Sequence, residues 1–246
     1  MRDVIIIPTY NERENIVRLV PILFNLYPSI YILVIDDNSP DGTASAVREL
    51  MRSYPRLALR VRSGKFGLGS AYIEAMRDVL RTNDVWAVVT MDADFSHDPK
   101  TIAVMLRALE SHDIVIGSRY VVGGSVVAWN FWRRMLSRWG NRYARTVIRV
   151  PVRDMTTGFH CFRGELLRRY DFDAISSTGF AFLMEMKIGA HILGARITEI
   201  PITFAGRTHG VSKLSNRIIY EGLIVPWKLR FQKFVWRANL RKRRRS

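Results

Sequence analysis

Cysteine is nearly absent from this 246-residue chain: the single thiol, Cys161, excludes an intrachain disulfide framework and a thiolate metal centre. Long apolar runs are missing as well. In the C-terminal segment the longest stretch without charge runs from Gly222 to Trp227, far short of the roughly 20 apolar residues a spanning helix needs. No G-x-G-x-x-G turn follows the first strand-like run and no G-x-x-x-x-G-K-[ST] occurs, which argues against a dinucleotide fold and a phosphate-binding loop. The N-terminus, Met1-Arg2-Asp3, enters a strand-like run with no signal-peptide profile, so the cytoplasm is the expected compartment. There is no internal repeat and no low-complexity linker.

Acid is scarce: 22 Asp and Glu face 38 Lys and Arg, a formal net charge of +16. Its placement is uneven. From Arg207 to Ser246 twelve basic residues face one acid, Glu221, and between Val121 and Arg153 there are seven arginines and no acid. Two basic zones in one chain suit an extended anionic partner, whether phospholipid headgroups, a phosphate substrate or nucleic acid.

Hydrophobic residues make up 48% of the chain, enough for one α/β domain with a C-terminal extension. Strand-like runs at Val4 to Ile7, Tyr31 to Ile35, Leu57 to Val61, Trp86 to Met91 and Asp113 to Gly117 alternate with helical patterns starting near Glu12, Thr43, Gly67 and Pro99. That alternation predicts a mostly parallel sheet flanked by helices, with functional groups at the carboxyl ends of the strands. Further on, Phe131 to Val150 is helical, with Trp132, Met135, Leu136, Trp139, Tyr143 and Val147 on one side and Arg134, Arg138, Arg142, Arg145 and Arg149 on another; Arg133 and Ser137 share a separate side. Gly158 to Phe162, Phe182 to Ala190 and Arg196 to Ile200 read as strand, helix and strand. Leu214 to Leu240 reads as a helix with a break at Pro226, its Trp227, Phe231, Phe234 and Trp236 interleaved with Lys and Arg as in a segment lying among lipid headgroups.

Polar clusters close three strands. Asp92-Ala93-Asp94 follows the fourth run, and two carboxylates spaced by one residue at a strand end suit a hard divalent ion such as Mg²⁺ or Mn²⁺ bridging to a diphosphate. The same residues equally suit a solvated turn capping the next helix. Ser96 adds a hydroxyl, and His97 reads as a turn residue. Asp36-Asp37, with Pro8, Tyr10 and Glu12, would line the same crevice if the first two strands are neighbours; Tyr10 can wall a base and a carboxylate can accept from base or ribose. Gly64 to Gly69 can bring backbone amides and Lys65 to an anion at a helix start.

Together these residues resemble the inverting, metal-dependent nucleotide-sugar glycosyltransferases of family 2 with the GT-A fold, specifically the polyprenyl-phosphate (dolichol-phosphate) mannose synthases. The resemblance runs through Pro8 to Glu12, Val34 to Thr43, Lys65 to Tyr72, Met91 to His97, Gly117 to Tyr120 and Arg207 to Leu214. It implies a GT-A domain over residues 1–212 and a basic amphipathic membrane-associating extension over 213–246. It implies that Pro8, Tyr10, Glu12, Ile35 and Asp37 hold the nucleoside. Asp92, Ala93 and Asp94 then meet the diphosphate and a Mg²⁺ or Mn²⁺ ion, with Ser96 as a further ligand. Arg119, Arg133 and Ser137 fall to the acceptor phosphate, and Arg207 and Lys213 to the leaving diphosphate; Asp94, Arg119, Arg207 and Lys213 are the expected catalytic set.

The implied reaction moves mannose from GDP-mannose to a polyprenyl monophosphate with inversion. An anionic phosphate acceptor needs no general base, so no catalytic histidine is required, and Glu185 fits sugar-hydroxyl binding or a structural role. The expected setting is the cytoplasmic face of an anionic membrane, held peripherally or with a membrane-spanning partner protein. A polyprenyl-phosphate glucosyl or N-acetylhexosaminyl transferase using a UDP-sugar is the alternative. A nucleic-acid-binding protein would explain Arg241-Lys242-Arg243-Arg244-Arg245, but its partner would be repelled by the strand-end carboxylates.

Overall fold

The computed structural model describes residues 1–127, 129–177, 179, 181–206 and 216–243. In chain order the elements are β1 (Arg2–Thr9), α1 (Arg13–Leu26), β2 (Tyr31–Asp36), α2 (Thr43–Met51), β3 (Leu57–Val61), α3 (Leu68–Val79), β4 (Val85–Thr90), α4 (Thr101–Leu109) and β5 (Ile114–Ser118). They continue with β6 (Ser125–Val126), α5 (Phe131–Ile148), β7 (His160–Arg163), α6 (Gly164–Arg168), α7 (Ala181–Ile192), β8 (Ile197–Pro201), β9 (Thr203–Phe204) and α8 (Asn216–Arg243).

Seven strands form one sheet in the order β3-β2-β1-β4-β7-β5-β8, and only β7 runs antiparallel to its neighbours. Val4 to Ile7 are all essentially buried, as an apolar run must be when helices cover both faces of a parallel sheet. Successive side chains alternate between the faces. Val4, Ile6, Val88, Ile116 and Phe162 meet Tyr72 and Met76 of α3, Ile148 of α5 and Phe182 and Met186 of α7. Ile5, Ile7, Val34, Val89 and Cys161 meet Leu19 and Leu23 of α1 and Ile102 and Met105 of α4.

Chain order reverses at β1: β2 and β3 step to one side and β4 lies on the other. Crevices at such a switch point, beyond the carboxyl ends of the strands, are where open α/β sheets bind ligands. The mostly parallel α/β expectation is met, with β7 inserted between β4 and β5.

One expectation changes. No break occurs at Pro226, which lies buried inside α8. Its neighbours tie α8 down past the missing N–H: Trp227 Nε1 donates to Tyr143 Oη, Arg230 to Val147 O, and Lys233 to Ile148 O and Arg149 O. On α5, Asn141, Ala144, Val147 and Ile148 pack inward, so of the apolar side read from the sequence only Val147 is buried. Trp132 and Trp139 stay 69% and 71% exposed, because the N-terminal half of α5 projects beyond the sheet-facing core and only its C-terminal half packs inward.

Candidate active site

The ends of β1, β2 and β4 come together because their strands pair directly. Pro8 lies beside Ile35 and Thr9 beside Asp36, Asp37 N donates to Thr9 O at 3.0 Å, and Met91 N donates to Ile6 O at 3.3 Å. The three polar clusters therefore share one crevice. The two adjacent acids at the end of β2 divide their work. Asp36 is fully buried and accepts from Thr9 Oγ1, Ser39 N and Ser39 Oγ, so it holds the loop. Asp37, 8% exposed, accepts from Arg62 Nη1 at 2.6 Å.

Arg62 directly follows β3 and is itself buried. It also donates to Ser70 Oγ and Glu74 Oε1, and Arg62 N donates to Asp36 O, so one guanidinium locks Asp37 to the start of α3. Burial opposes its charge, but the hydrogen bonds it donates to Asp37 and Glu74, with their charges, outweigh that and raise its pKa. Tyr10, half exposed, has Lys65 Nζ 3.9 Å from its ring centroid, and Arg62 lies over Phe66. Tyr10, Lys65 and Asp37 thus present a ring, a cation and a buried anion. Glu12 accepts from Asn15 at the start of α1. Ile35 is wholly buried in the core, paired between Pro8 of β1 and Arg60 of β3.

After β4 the chain turns sharply: Phe95 takes φ 59, and Ser96 N donates to Asp94 Oδ1 at 3.0 Å. Ala93, Asp94, Ser96 and His97 are all buried. His97 Nδ1 accepts from Asp92 N and the ring stacks on Phe159 at 4.7 Å. Burial, reinforced by Arg119 and opposed by Asp94, lowers its pKa to about 4, so it is a neutral prop for the Asp92 backbone. Gly158 presents its missing side chain to Asp92, whose Oδ1 would lie 3.9 Å from an added Cβ. Burial, then the charges of Asp92 and Asp94, push the Tyr72 phenol well above its usual value.

Ser96 Oγ is buried with no hydrogen-bond partner among the described residues. A hydroxyl left without a partner beside Asp92 and Asp94 is a donor set of hard oxygens, suited to Mg²⁺ or Mn²⁺. Among the described residues no three His, Cys, Asp or Glu side chains cluster as a closed metal site, so an ion here would take its remaining ligands from substrate and water.

Arg119, at the end of β5, is 7% exposed. Its Nε and Nη2 donate to Asp154 Oδ2 and Oδ1 at 2.8 and 2.7 Å, and Nη2 also donates to Thr156 Oγ1. Burial raises the Asp154 pKa less than Arg119 lowers it, leaving the carboxyl below its ordinary value. Around Arg119 stand Tyr120, Trp129 and Phe204, and Arg133 lies over the Trp129 ring at 4.1 Å. Tyr120 Oη and Ser137 Oγ are 2.6 Å apart. The predicted trio Arg119, Arg133 and Ser137 therefore meets around Trp129 and Tyr120. Glu185, buried, accepts from Ser177 N and Ser176 N, which fits its structural reading.

Arg207 and Lys213, and with them the boundary between residues 212 and 213, lie outside the described residues. Sequence reasoning missed Arg62, Trp129, Asp154 and Thr156. A signal existed for Arg62, a charged residue at the end of the third parallel strand, and for Asp154, the first acid after a seven-arginine stretch.

With a seven-stranded sheet whose order reverses at β1 and with acids at the ends of β2 and β4, residues 4–175 match the Glycosyl transferase family 2 model, and the chain belongs to that family. It is 40% identical to the polyprenol monophosphomannose synthase of Mycolicibacterium smegmatis, across 93% of this chain and 88% of that one. It is 41% identical to the undecaprenyl-phosphate mannosyltransferase of Micrococcus luteus, across 91% and 92%. Among solved structures, glucosyl-3-phosphoglycerate synthase of Mycobacterium tuberculosis, in complex with Mn²⁺, UDP and phosphoglyceric acid, superposes with a TM-score of 0.65 at 17% identity, covering 93% of this chain and 78% of that one. A mannosyltransferase from Pyrobaculum calidifontis in complex with GDP-Man and Mn²⁺ gives 0.59 at 19%, covering 95% and 64%. These establish the GT-A fold.

Proposed function

We propose that the protein transfers mannose from GDP-mannose to the phosphate of a polyprenyl monophosphate with inversion, giving polyprenyl phosphate β-mannose and GDP. The observation that carries this reading is the Asp92-Ala93-Asp94 turn, with its partnerless Ser96 hydroxyl, set beside the Asp37 and Tyr10 walls in a chain about 40% identical to polyprenyl-phosphate mannosyltransferases.

Asp37, fixed by Arg62, accepts hydrogen bonds from the base or ribose, and Tyr10 walls it. Asp92, Asp94 and Ser96 would hold a Mg²⁺ or Mn²⁺ ion that neutralises charge growing on the departing diphosphate. Arg207 and Lys213 share that task in this reading. Arg119, Arg133 and Ser137 place the acceptor phosphate, which is already anionic near neutral pH and attacks the anomeric carbon directly. His97 stays neutral and Glu185 stays tied to loop amides, so neither is needed as a base.

The acceptor's lipid tail fits the outer surface. Phe131, Trp132 and Trp139 of α5 and Trp227, Phe231 and Phe234 of α8 are exposed among basic residues, and no helix among the described residues is long and apolar enough to cross a membrane. The protein then acts peripherally on an anionic membrane surface, at its cytoplasmic face, alone or beside a spanning partner.

The test is transfer of labelled mannose from GDP-mannose to a short polyprenyl phosphate, with Mg²⁺ or Mn²⁺ and with excess EDTA, beside Asp94→Ala. Metal-dependent product absent in the variant is expected. Product only from a UDP-sugar would overturn the donor, and no transfer to any polyprenyl phosphate would overturn the acceptor.

A further inference from the structure

Among the described residues, the C-terminal end of α5 presents three arginines without an acidic partner. Arg142 and Arg145 are exposed one turn apart on α5, and Arg149, its exposed C-cap, turns off the helix with φ 57. No described carboxylate forms an ion pair with any of them, although Arg60, Arg62, Arg119 and Arg196 all have such partners. They line a cavity of about 650 Å³ together with Thr146 and, from α7, His191. None of its lining residues belongs to the crevice described above.

Among the described residues, the charged side chains that line the cavity are all arginines. Arg237 Nη2 of α8 lies 3.1 Å from His191 Nε2; a guanidinium only donates, so the imidazole accepts there and is neutral. Burial, then Lys233 and Arg237, hold the His191 pKa below its ordinary value. The carboxyl end of a helix normally carries partial negative charge that would repel an anion. Here Arg230 and Lys233 occupy the Val147, Ile148 and Arg149 carbonyls, so that end is neutralised and the three arginines set the local field. Holding like charges together in a concavity costs stability, and an anion relieves it.

We propose that this cavity is a second anion site, separate from the catalytic crevice, that binds a phosphate group and takes it from an anionic phospholipid headgroup. Guanidinium groups in an array match phosphate oxygens. Trp139, one turn before Arg142 on α5, and Trp227 and Phe231 on α8 are exposed, so these two helices offer apolar surface for an acyl chain to follow. The choice of headgroup over free phosphate rests on the peripheral-membrane reading; the cavity does not, and it requires no sugar transfer.

The test is calorimetric titration of the full chain in EDTA with three probes: dihexanoyl phosphatidylglycerol below its micelle concentration, the zwitterionic phosphatidylcholine of equal chain length, and inorganic phosphate. One-to-one binding of the phosphatidylglycerol is expected, weakened about tenfold or more in Arg145→Gln/Arg149→Gln, the loss of charge-assisted hydrogen bonds. Arg134→Gln/Arg138→Gln removes the same charge from the same helix outside the cavity, and binding should be retained within about twofold. Inorganic phosphate binding as well as the lipid, with the same variant sensitivity, would keep the phosphate site and overturn the headgroup as its source. Equal loss in both variants, equal binding of phosphatidylcholine, or no binding of either anion would overturn the site. Arg142→Gln alone, expected to weaken binding several-fold, serves as a milder variant should the double one melt early.

Discussion

Replacing Asp154 by Asn removes the anion that fixes Arg119 while keeping the side chain's volume. Asp154 is fully buried and Arg119 nearly so; two side-chain bonds of 2.7 and 2.8 Å and a third from Arg119 N at 3.0 Å converge on that carboxylate. Removing one partner of a buried pair strands the other charge, which costs about 3–5 kcal/mol, a large part of the 5–15 kcal/mol that typically separates folded from unfolded states. Equilibrium urea denaturation of Asp154→Asn, Arg119→Met and the double variant Arg119→Met/Asp154→Leu measures it. Each single change should lose about 3–5 kcal/mol, and the double variant should recover only part of that, since packed apolar groups can replace a buried ion pair at little cost but the amides of Arg119 and Thr157 still lose their acceptor. Transfer should remain lost in the double variant if Arg119 places the acceptor phosphate, as proposed. The carboxyl is held below its ordinary value, so its contribution is present above the unfolded pKa of about 3.9 and disappears as pH falls through the folded value; Asp154→Asn should flatten that acid limb. A variant within about 1 kcal/mol of wild type would refute the structural argument, and a double variant that regains transfer would reduce Arg119 to scaffolding.

Ser96→Ala should raise the half-saturating Mn²⁺ concentration for transfer while leaving stability unchanged or higher by about 1 kcal/mol, because it removes a buried hydroxyl without a partner; an unchanged metal dependence would remove Ser96 from the ligand set. Arg62→Gln releases Asp37 and should raise the donor KM about 10- to 100-fold with a smaller change in kcat, whereas an equal fall in kcat and kcat/KM would place Arg62 in the chemistry itself. Burial, then the charges of Lys187 and His97, lowers the His160 pKa well below its usual value, so the folded state binds fewer protons than the unfolded one once pH drops below about 6.5, and stability falls in that direction. His160→Phe should flatten the acid side of the stability curve below about pH 6.5, and a slope identical to wild type would show that His160 does not carry it.

Much of this architecture is legible in the chain because parallel strands buried on both faces leave continuous apolar runs, as Val4 to Ile7 do, and because turn-forming polar residues follow them. Asp92-Ala93-Asp94, Tyr10 and Asp37 could be read as site residues for the same reason: they sit where apolar runs stop. Partnerships across the sheet leave no such trace. Asp37 meets Arg62 from 25 positions away and Arg119 meets Asp154 from 35, and no periodicity links either pair. The division of labour between Asp36 and Asp37 is equally invisible, since it depends on which carboxylate Thr9 and Ser39 reach.

The sequence by itself determined the alternation of strands and helices, the crevice acids and the surplus of basic residues near the C-terminus, because each depends on local composition and spacing. Tertiary structure decided the rest. It set β7 antiparallel between β4 and β5, carried α8 straight past Pro226, and left Trp132 and Trp139 in solvent while Asn141 and Ala144 of the same helix turned inward. Helical periodicity shows that a helix has an apolar stripe, but which part of the stripe is buried depends on where neighbouring elements end.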